Sequence, residues 1–203
     1  MQRLDENKRR VIAEQAAKLF ATKPFHKVTL DEIASAAGVG KGTLYVYFSG
    51  KEELFSSIVQ DGFIQILDGI RVQLADRKVT PREGLRHIVE GLFRFAFAHP
   101  YFFELIRTAP ALVDAQHDYW KARHGELTQL ILDTIRAGVE SGEFVDAHPE
   151  LTSVYIPGLV RSAMLFGPKD VDERIVANHV LGLLLGGLCA RDNRPHESVY
   201  QSG

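Results

Sequence analysis

The histidines and aspartates of residues 114–124 are the group in the sequence that comes nearest to a metal-binding pattern. His117 and His124 are seven residues apart, which places them two turns apart on one helix face, with Asp114 and Asp118 nearby. A metal ion needs ligands that converge within bonding distance, and this spacing alone does not supply them. The sequence therefore predicts no metal site and no cofactor.

Short motifs that mark common catalytic sites are also missing from the sequence. It contains no Gly-x-Ser-x-Gly, no glycine-rich phosphate-binding loop and no His-Glu-x-x-His. The single cysteine, Cys189, lies in a hydrophobic stretch where a thiol is expected to be inert. These features predict a protein that is not an enzyme.

Cysteine usage and hydropathy also indicate a compartment. One cysteine cannot form a disulfide within the chain, which favours a reducing cytoplasm. The N-terminus lacks the apolar core of a signal peptide, and the most apolar stretch, residues 180–190, is too short to span a bilayer. The sequence predicts a cytoplasmic protein without a membrane partner.

Charge is distributed unevenly along the chain. Residues 1–51 carry nine Lys and Arg against five Asp and Glu, a net charge of +4, whereas the remainder carries 15 against 21, a net charge of −6. A basic segment on an acidic body is typical of a region that meets a polyanion such as DNA, although a solvated helix face has the same composition.

Apolar residues recur at helical spacing along nearly the whole chain, so the sequence predicts an all-α fold of about nine helices. The stripe of the first helix is formed by Ile12, Ala16, Leu19 and Phe20. Thr29 and Glu32 have the spacing of a capping box that starts a second helix, and Gly38 is suited to end it. Residues 38–40 alone separate this helix from a third, which is a helix-turn-helix pattern.

The motif of this segment extends in unbroken register from the first helix to the start of a fourth. Its positions are Arg9, Ile12, Ala16, Leu19, Phe20, Thr29, Ile33, Ala34, Ala37, Gly38, Val39, Gly42, Thr43, Leu44, Tyr45, Tyr47, Phe48, Lys51, Glu52 and Leu54. It resembles the DNA-binding domain of the TetR/AcrR family, the tetracycline-repressor-like transcriptional regulators. The resemblance implies a helix-turn-helix DNA-binding domain over residues 1–50 and a helical ligand-sensing and dimerisation domain over residues 51–203.

The resemblance also implies which residues meet DNA. By position, Lys41, Gly42 and Thr43 would reach base edges or adjacent phosphates from a helix lying in the major groove. The residues expected to hold phosphates are Thr29, Tyr45, Tyr47 and Lys51. Tyr45 and Tyr47 also fit the alternative role of packing tyrosines with solvated hydroxyls.

Two positions depart from the commonest pattern of the family. Gly40 replaces a frequent serine, so the recognition helix has a weaker N-cap, by about a few tenths of a kcal/mol. Val46 is short and apolar, and it offers a methyl contact at most.

The remaining helices are predicted from their periodicity and their breakers. A long connector helix is expected over residues 51–75, and a capping box formed by Thr80 and Glu83 starts the next helix. Further helices are expected over residues 101–108 and 113–140, and another helical segment is expected to end at Phe166. The last helix is expected over residues 170–190, with Asp170 and Glu173 at its start. An interior proline, Pro157, is expected to kink or split the segment that contains it.

Aromatic residues crowd the centre of the chain and predict the effector site. The candidate lining residues are Phe93, Phe97, Tyr101, Phe102, His117 and Trp120. Apolar pockets with a few polar groups bind small ligands, so an apolar or aromatic effector is expected. The alternative is an ordinary hydrophobic core, because aromatic stripes at helical spacing also occur there.

The last helix is apolar on several faces, which predicts a second partner beyond its own domain. The interface residues expected are Val180, Leu181, Leu184, Leu185 and Leu188. The resemblance implies an isologous homodimer through the last two helices. Such a protein would repress transcription at a pseudo-palindromic double-stranded DNA operator until an effector displaces the connector helix. A DNA-binding dimer controlled by a protein partner, or acting without a small-molecule inducer, is the alternative.

Overall fold

A computed structural model describes residues 5–76, 78–108, 117–168 and 170–188, with side chains except at 106–108 and 117–121. Within these ranges the chain forms nine α-helices and no β-strand, which confirms the predicted all-α fold. The helices are α1 (Glu6–Thr22), α2 (Leu30–Ala36), α3 (Lys41–Tyr47), α4 (Lys51–Leu74), α5 (Pro81–Ala98), α6 (Pro100–Thr108), α7 (His117–Glu140), α8 (Pro149–Phe166) and α9 (Glu173–Leu188). A 3₁₀ turn, Phe25–Lys27, lies between α1 and α2.

Helices α1, α2 and α3 form a small unit around a common apolar core. The predicted stripe of α1 is largely buried, with Ile12, Ala16 and Phe20 almost inaccessible to solvent. The capping box at the start of α2 is present, and Gly38 adopts φ of 66° after its end, a conformation that few residues other than glycine tolerate. The local signals in the sequence therefore produced the helix-turn-helix as predicted.

Helix α4 connects this unit to the rest of the molecule. It packs against α1 and against α5, α6 and α7. At the crossing with α6, the Phe102 ring lies directly on Gly62, where a Cβ atom would overlap the ring. Helix α6 is thereby held close to the connector.

Helix α5 is the central helix of the larger C-terminal unit. It contacts α4, α6, α7, α8 and α9, and Leu85, Ile88 and Phe93 on it are fully buried. Its N-terminus has the predicted capping box, with Pro81 at the first helical position. In the described residues no helix is both long enough and apolar enough to cross a membrane.

One helix boundary differs from the sequence expectations, and two others lie outside the described residues. Helix α9 begins at Glu173 rather than Asp170, because Asp172 provides the cap: its Oδ1 accepts from the Ile175 amide at 3.0 Å. The helix expected over residues 113–140 is described only from His117, and residues 189–190 of the last predicted helix also lie outside the described chain.

Pro157 does not split α8, which runs as one helix from Pro149 to Phe166. A proline removes one backbone hydrogen bond of the helix. The remaining hydrogen bonds of this 18-residue helix are enough to keep it continuous through Pro157.

Candidate nucleic-acid interface

Helix α3 exposes one face of polar and short apolar residues. It buries Leu44 completely, whereas Tyr45 is 48% exposed and Val46 is 64% exposed. Lys41 and Gly42 are exposed on the first turn, and the space beside the Gly42 Cα is open. The N-cap, Gly40, makes no side-chain hydrogen bond to the helix, so the first turn leaves its amides available. An exposed helix of this width fits the major groove of B-DNA.

Lys41 is held by an acid of the preceding helix. Its Nζ lies 2.8 Å from a carboxylate oxygen of Asp31, and this hydrogen-bonded charge raises the pKa of Lys41. The partner fixes the direction of an otherwise flexible side chain beside the exposed face of α3. A second cross-element pair joins Lys23 to Glu32 at 2.8 Å and lowers the pKa of Glu32.

Thr29 already has a structural role at the start of α2. Its Oγ1 accepts from the Glu32 amide at 3.2 Å, and its own amide donates to Glu32 Oε2 at 3.1 Å. The residue is exposed, so the hydroxyl lies at the surface of the same unit as α3.

Tyr47 and Lys51, both predicted to hold phosphates, bind groups within the chain. The Tyr47 hydroxyl accepts from the Asp5 amide at 3.1 Å, which ties the end of α3 to the start of α1. The Lys51 ammonium donates to the carbonyls of Phe25 and Val28 at 2.8 and 2.9 Å, and it lies 4.4 Å from the centre of the Phe25 ring. Both side chains thus brace the helix-turn-helix unit.

Arg9 is a further connecting residue, whose role sequence reasoning missed although the residue belongs to the family motif. Its guanidinium lies 2.8 Å from Asp61 on α4 and 5.6 Å from the centre of the Phe48 ring at the end of α3. The two partners of this ion pair are 52 residues apart, so no local signal joins them. Helix α1 is thereby linked to both the recognition helix and the connector.

Three of the predicted effector-binding residues line a cleft of about 1150 Å³ between α1, α4 and the junction of α5 with α6. These are Phe97, Tyr101 and Phe102. Phe93 instead lies in the core, with no exposed surface. The side chains of His117 and Trp120 fall outside those that the structure describes.

The residues predicted for the dimer interface lie partly inside the protomer. Val180, Leu181 and Leu188 are buried in the core, while Leu184 and Leu185 are partly buried against it. Phe166, the last residue of α8, is 81% exposed. Six further apolar side chains of α8 and α9 are also exposed: Leu151, Val154, Tyr155, Leu159, Ile175 and Leu183. We refer to these six residues as the outer apolar face.

The fold and its helix-turn-helix surface define a class of DNA-binding regulators, and comparisons identify the family. Residues 12–58 match the family described as "Bacterial regulatory proteins, tetR family", and residues 78–165 match "Tetracyclin repressor-like, C-terminal domain". Together the two matches cover more than half of the chain. The chain belongs to the TetR family of transcriptional regulators, as the sequence motif predicted.

Similar proteins extend over nearly the whole chain. The transcriptional repressor KstR2 of Mycolicibacterium smegmatis is 26% identical over 201 residues, which cover 94% of this chain and 95% of the relative. The uncharacterised regulator YhgD of Bacillus subtilis is 28% identical, with 88% of this chain and 93% of YhgD covered.

Solved structures share the fold at lower identity. The ketosteroid regulator KstR2 of Mycobacterium tuberculosis has a TM-score of 0.80 at 22% identity, covering 94% of this chain and 98% of that one. AibR, in a complex with isovaleryl coenzyme A and operator DNA, has a TM-score of 0.72 at 18% identity, covering 89% and 99%.

Proposed function

We propose that this protein is a repressor that binds a pseudo-palindromic operator as a homodimer and leaves it when a small-molecule effector binds. The observation that carries the proposal is the exposed face of α3, braced by Lys51, Tyr47 and Arg9 within a helix-turn-helix unit. A helix held in this way loses little conformational entropy when it enters the major groove.

Base edges would be read from the first turn of α3. Lys41 can exchange Asp31 for the acceptors of guanine, the Thr43 methyl can contact thymine, and Gly42 allows close approach of the backbone. Thr29, Tyr45, Tyr47 and Lys51 are the candidate phosphate contacts, and such contacts set register rather than sequence preference. Tyr47 keeps its own hydroxyl proton for such a contact, because in the free protein the oxygen acts as an acceptor.

Dimerisation would bring two such units onto one face of DNA. The outer apolar face of α8 and α9 supports an interface with a second copy, because apolar side chains gain free energy when they are removed from water. On α9, Gly182 and Gly186 lie one turn apart with open space beside them, which permits close packing of a partner helix. An isologous dimer then places two recognition helices about 34–36 Å apart, one turn of DNA.

Effector control is supported by the cleft and by a neighbour in fold. AibR has been solved with both a coenzyme A thioester and operator DNA, so one protein of this fold binds both kinds of ligand. In this chain an apolar or aromatic effector would have to bind the free and DNA-bound states differently. A coupling of about 1–3 kcal/mol, or about 5- to 150-fold in affinity, is typical of such regulation.

The test is titration of the purified protein with the intergenic DNA beside its own gene, at several salt concentrations, read by fluorescence anisotropy. We expect tight, sequence-selective binding whose affinity falls steeply with salt. Lys41→Gln should reduce the slope of log affinity against log salt by about one, because one cationic contact to the DNA is lost.

Lys78→Gln is the control, since Lys78 lies exposed between α4 and α5, away from the helix-turn-helix unit. Its salt slope and affinity should match those of the unaltered protein. Binding that ignores DNA sequence, with equal slopes for both variants, would contradict the assignment of α3 as the reading helix.

A further inference from the structure

The cleft lies between the two functional halves of the protein rather than within one of them. One wall is the outer side of α1, including Ala13 and Ala17. Another wall is the α5–α6 junction with Phe97, His99 and Tyr101, and α4 forms the remainder. At about 1150 Å³ it is slightly larger than most small-molecule sites, which measure about 300–1000 Å³.

Charges on the cleft walls cancel. Three cations and three carboxylates line it. Arg9 is paired with Asp61 at 2.8 Å, and Arg10 with Glu14 at 3.0 Å. Lys18 and Glu6 contribute one further charge of each sign. Because there is no excess of either sign, the walls favour an uncharged ligand over an anion or a cation.

Aromatic surface and one neutral histidine supply the rest of the cleft chemistry. Phe97 and Tyr101 are 36% and 39% exposed, which is unusual for such large side chains and leaves their rings open to contact with a ligand. Burial lowers the pKa of His99, with Glu14 acting in the opposite direction, which favours the neutral imidazole. A neutral imidazole offers one hydrogen-bond donor and one acceptor.

We propose that this interdomain cleft is the effector site and that it takes an uncharged aromatic molecule carrying at most one or two hydrogen-bonding groups. The inference rests on the proposed function, because it assigns the place and the ligand class of the effector response. Ring stacking on Phe97 and Tyr101 provides most of the affinity, and His99 provides a directional polar contact.

Occupancy of the cleft acts on DNA binding through α1. This helix packs directly against α6 and forms one wall of the cleft. Its first residues are tied to Tyr47 at the end of α3, and its Arg9 lies against Phe48. A ligand that moves α1 away from the α5–α6 junction therefore shifts the recognition helix through these two contacts.

The experiment uses 1-aminoanthracene, an uncharged aromatic dye whose emission rises in apolar sites, with the full-length protein. We expect saturable binding of one dye per protomer and an operator affinity lowered by about 5- to 150-fold when the dye is saturating. The anionic dye 8-anilinonaphthalene-1-sulfonate, which tests the charge argument, should bind the same site about tenfold or more weakly.

Cleft variants locate the dye. Ile64→Trp fills the cleft from α4, and Tyr101→Ala removes part of the wall formed by the α5–α6 junction. Each should weaken dye binding by about tenfold or more, a difference of about 1.4 kcal/mol. Val72→Trp is the matched control, since Val72 is an exposed β-branched residue of the same helix outside the cleft. It should bind the dye as the unaltered protein does.

Thermal melts followed by circular dichroism establish that each variant is folded. Absence of saturable dye binding, or equal dye affinity in Ile64→Trp, Tyr101→Ala and Val72→Trp, would overturn the site. Dye bound in the cleft with unchanged operator affinity would overturn its role as effector site. Operator binding by the dye-free protein is measured in parallel, so failure of the proposed function shows there as loss of selective DNA binding.

Discussion

The helix-turn-helix unit and the C-terminal unit leave different kinds of side chain at their surfaces. In the first unit, several polar residues predicted to meet DNA already have partners in the same chain: Lys41 binds Asp31, and Lys51 binds two backbone carbonyls. In the second unit, the outer apolar face includes Tyr155 and Leu183, each 59% exposed. The DNA-reading surface is therefore ordered in advance, whereas we expect another molecule to cover the exposed apolar residues of the C-terminal unit.

The largest effect is expected from a charge placed on the outer apolar face. Leu183→Asp should give a folded monomer, because a carboxylate cannot be buried against a second copy without a partner. A monomer holds only one half-site, so operator affinity should fall by about 10²- to 10⁴-fold. Sedimentation velocity and fluorescence anisotropy measure the two effects.

Val72→Asp provides the control for this experiment, because it places the same charge on an exposed residue of α4. It should remain a dimer with normal operator affinity. If Leu183→Asp were equally dimeric, the outer apolar face would not be the interface, and the contrast between the two units would lose its main support.

A smaller effect tests whether the DNA-reading unit is ordered in advance. Lys51→Met removes the donor to the Phe25 and Val28 carbonyls and should lower the free energy of unfolding by about 1–3 kcal/mol. Lys27→Met removes an exposed lysine nearby and should change it by less than about 0.5 kcal/mol. Chemical denaturation in the absence of DNA measures both.

Equal unfolding free energies for the two lysine variants would mean that the hydrogen bonds from Lys51 to the Phe25 and Val28 carbonyls do not stabilise the free protein. A loss confined to DNA affinity would then return Lys51 to the role of a simple phosphate contact.

Local signals explain what was predictable from the sequence. Both capping boxes, the helix-turn-helix spacing and the order of the helices depend on residues within a few positions of one another, and each is present. The start of α9 was misplaced because two aspartates, Asp170 and Asp172, stand close together, and only the folded geometry shows which one caps the helix.

Contacts between distant residues were not predictable in the same way. Tyr47 and Asp5 are 42 residues apart, and Lys51 lies 26 residues from Phe25. Such pairs exist only after the helices have packed. For the same reason, periodicity identified an apolar last helix but did not separate its core side, with Val180 and Leu181, from its exposed side, with Leu183. Aromatic content likewise indicated a sensor region without placing Phe97 and Tyr101 beside α1.

The smallest predicted effects concern the two capping boxes, one in each unit. In each capping box the threonine hydroxyl accepts from the glutamate amide at 3.2 Å, at Thr29 in α2 and at Thr80 in α5. Thr29→Ala and Thr80→Ala should therefore lower the free energy of unfolding by similar amounts, about 1 kcal/mol each.

Their effects on DNA should differ, because only Thr29 belongs to the unit that would meet phosphates. Thr29→Ala should also weaken operator binding by about fivefold, near 1 kcal/mol, whereas Thr80→Ala should leave it unchanged. Thr29→Ser keeps the hydroxyl and should restore both stability and affinity. Equal operator affinity in the two alanine variants would show that Thr29 only caps its helix, and that the phosphate contacts of the unit must come from the exposed face of α3.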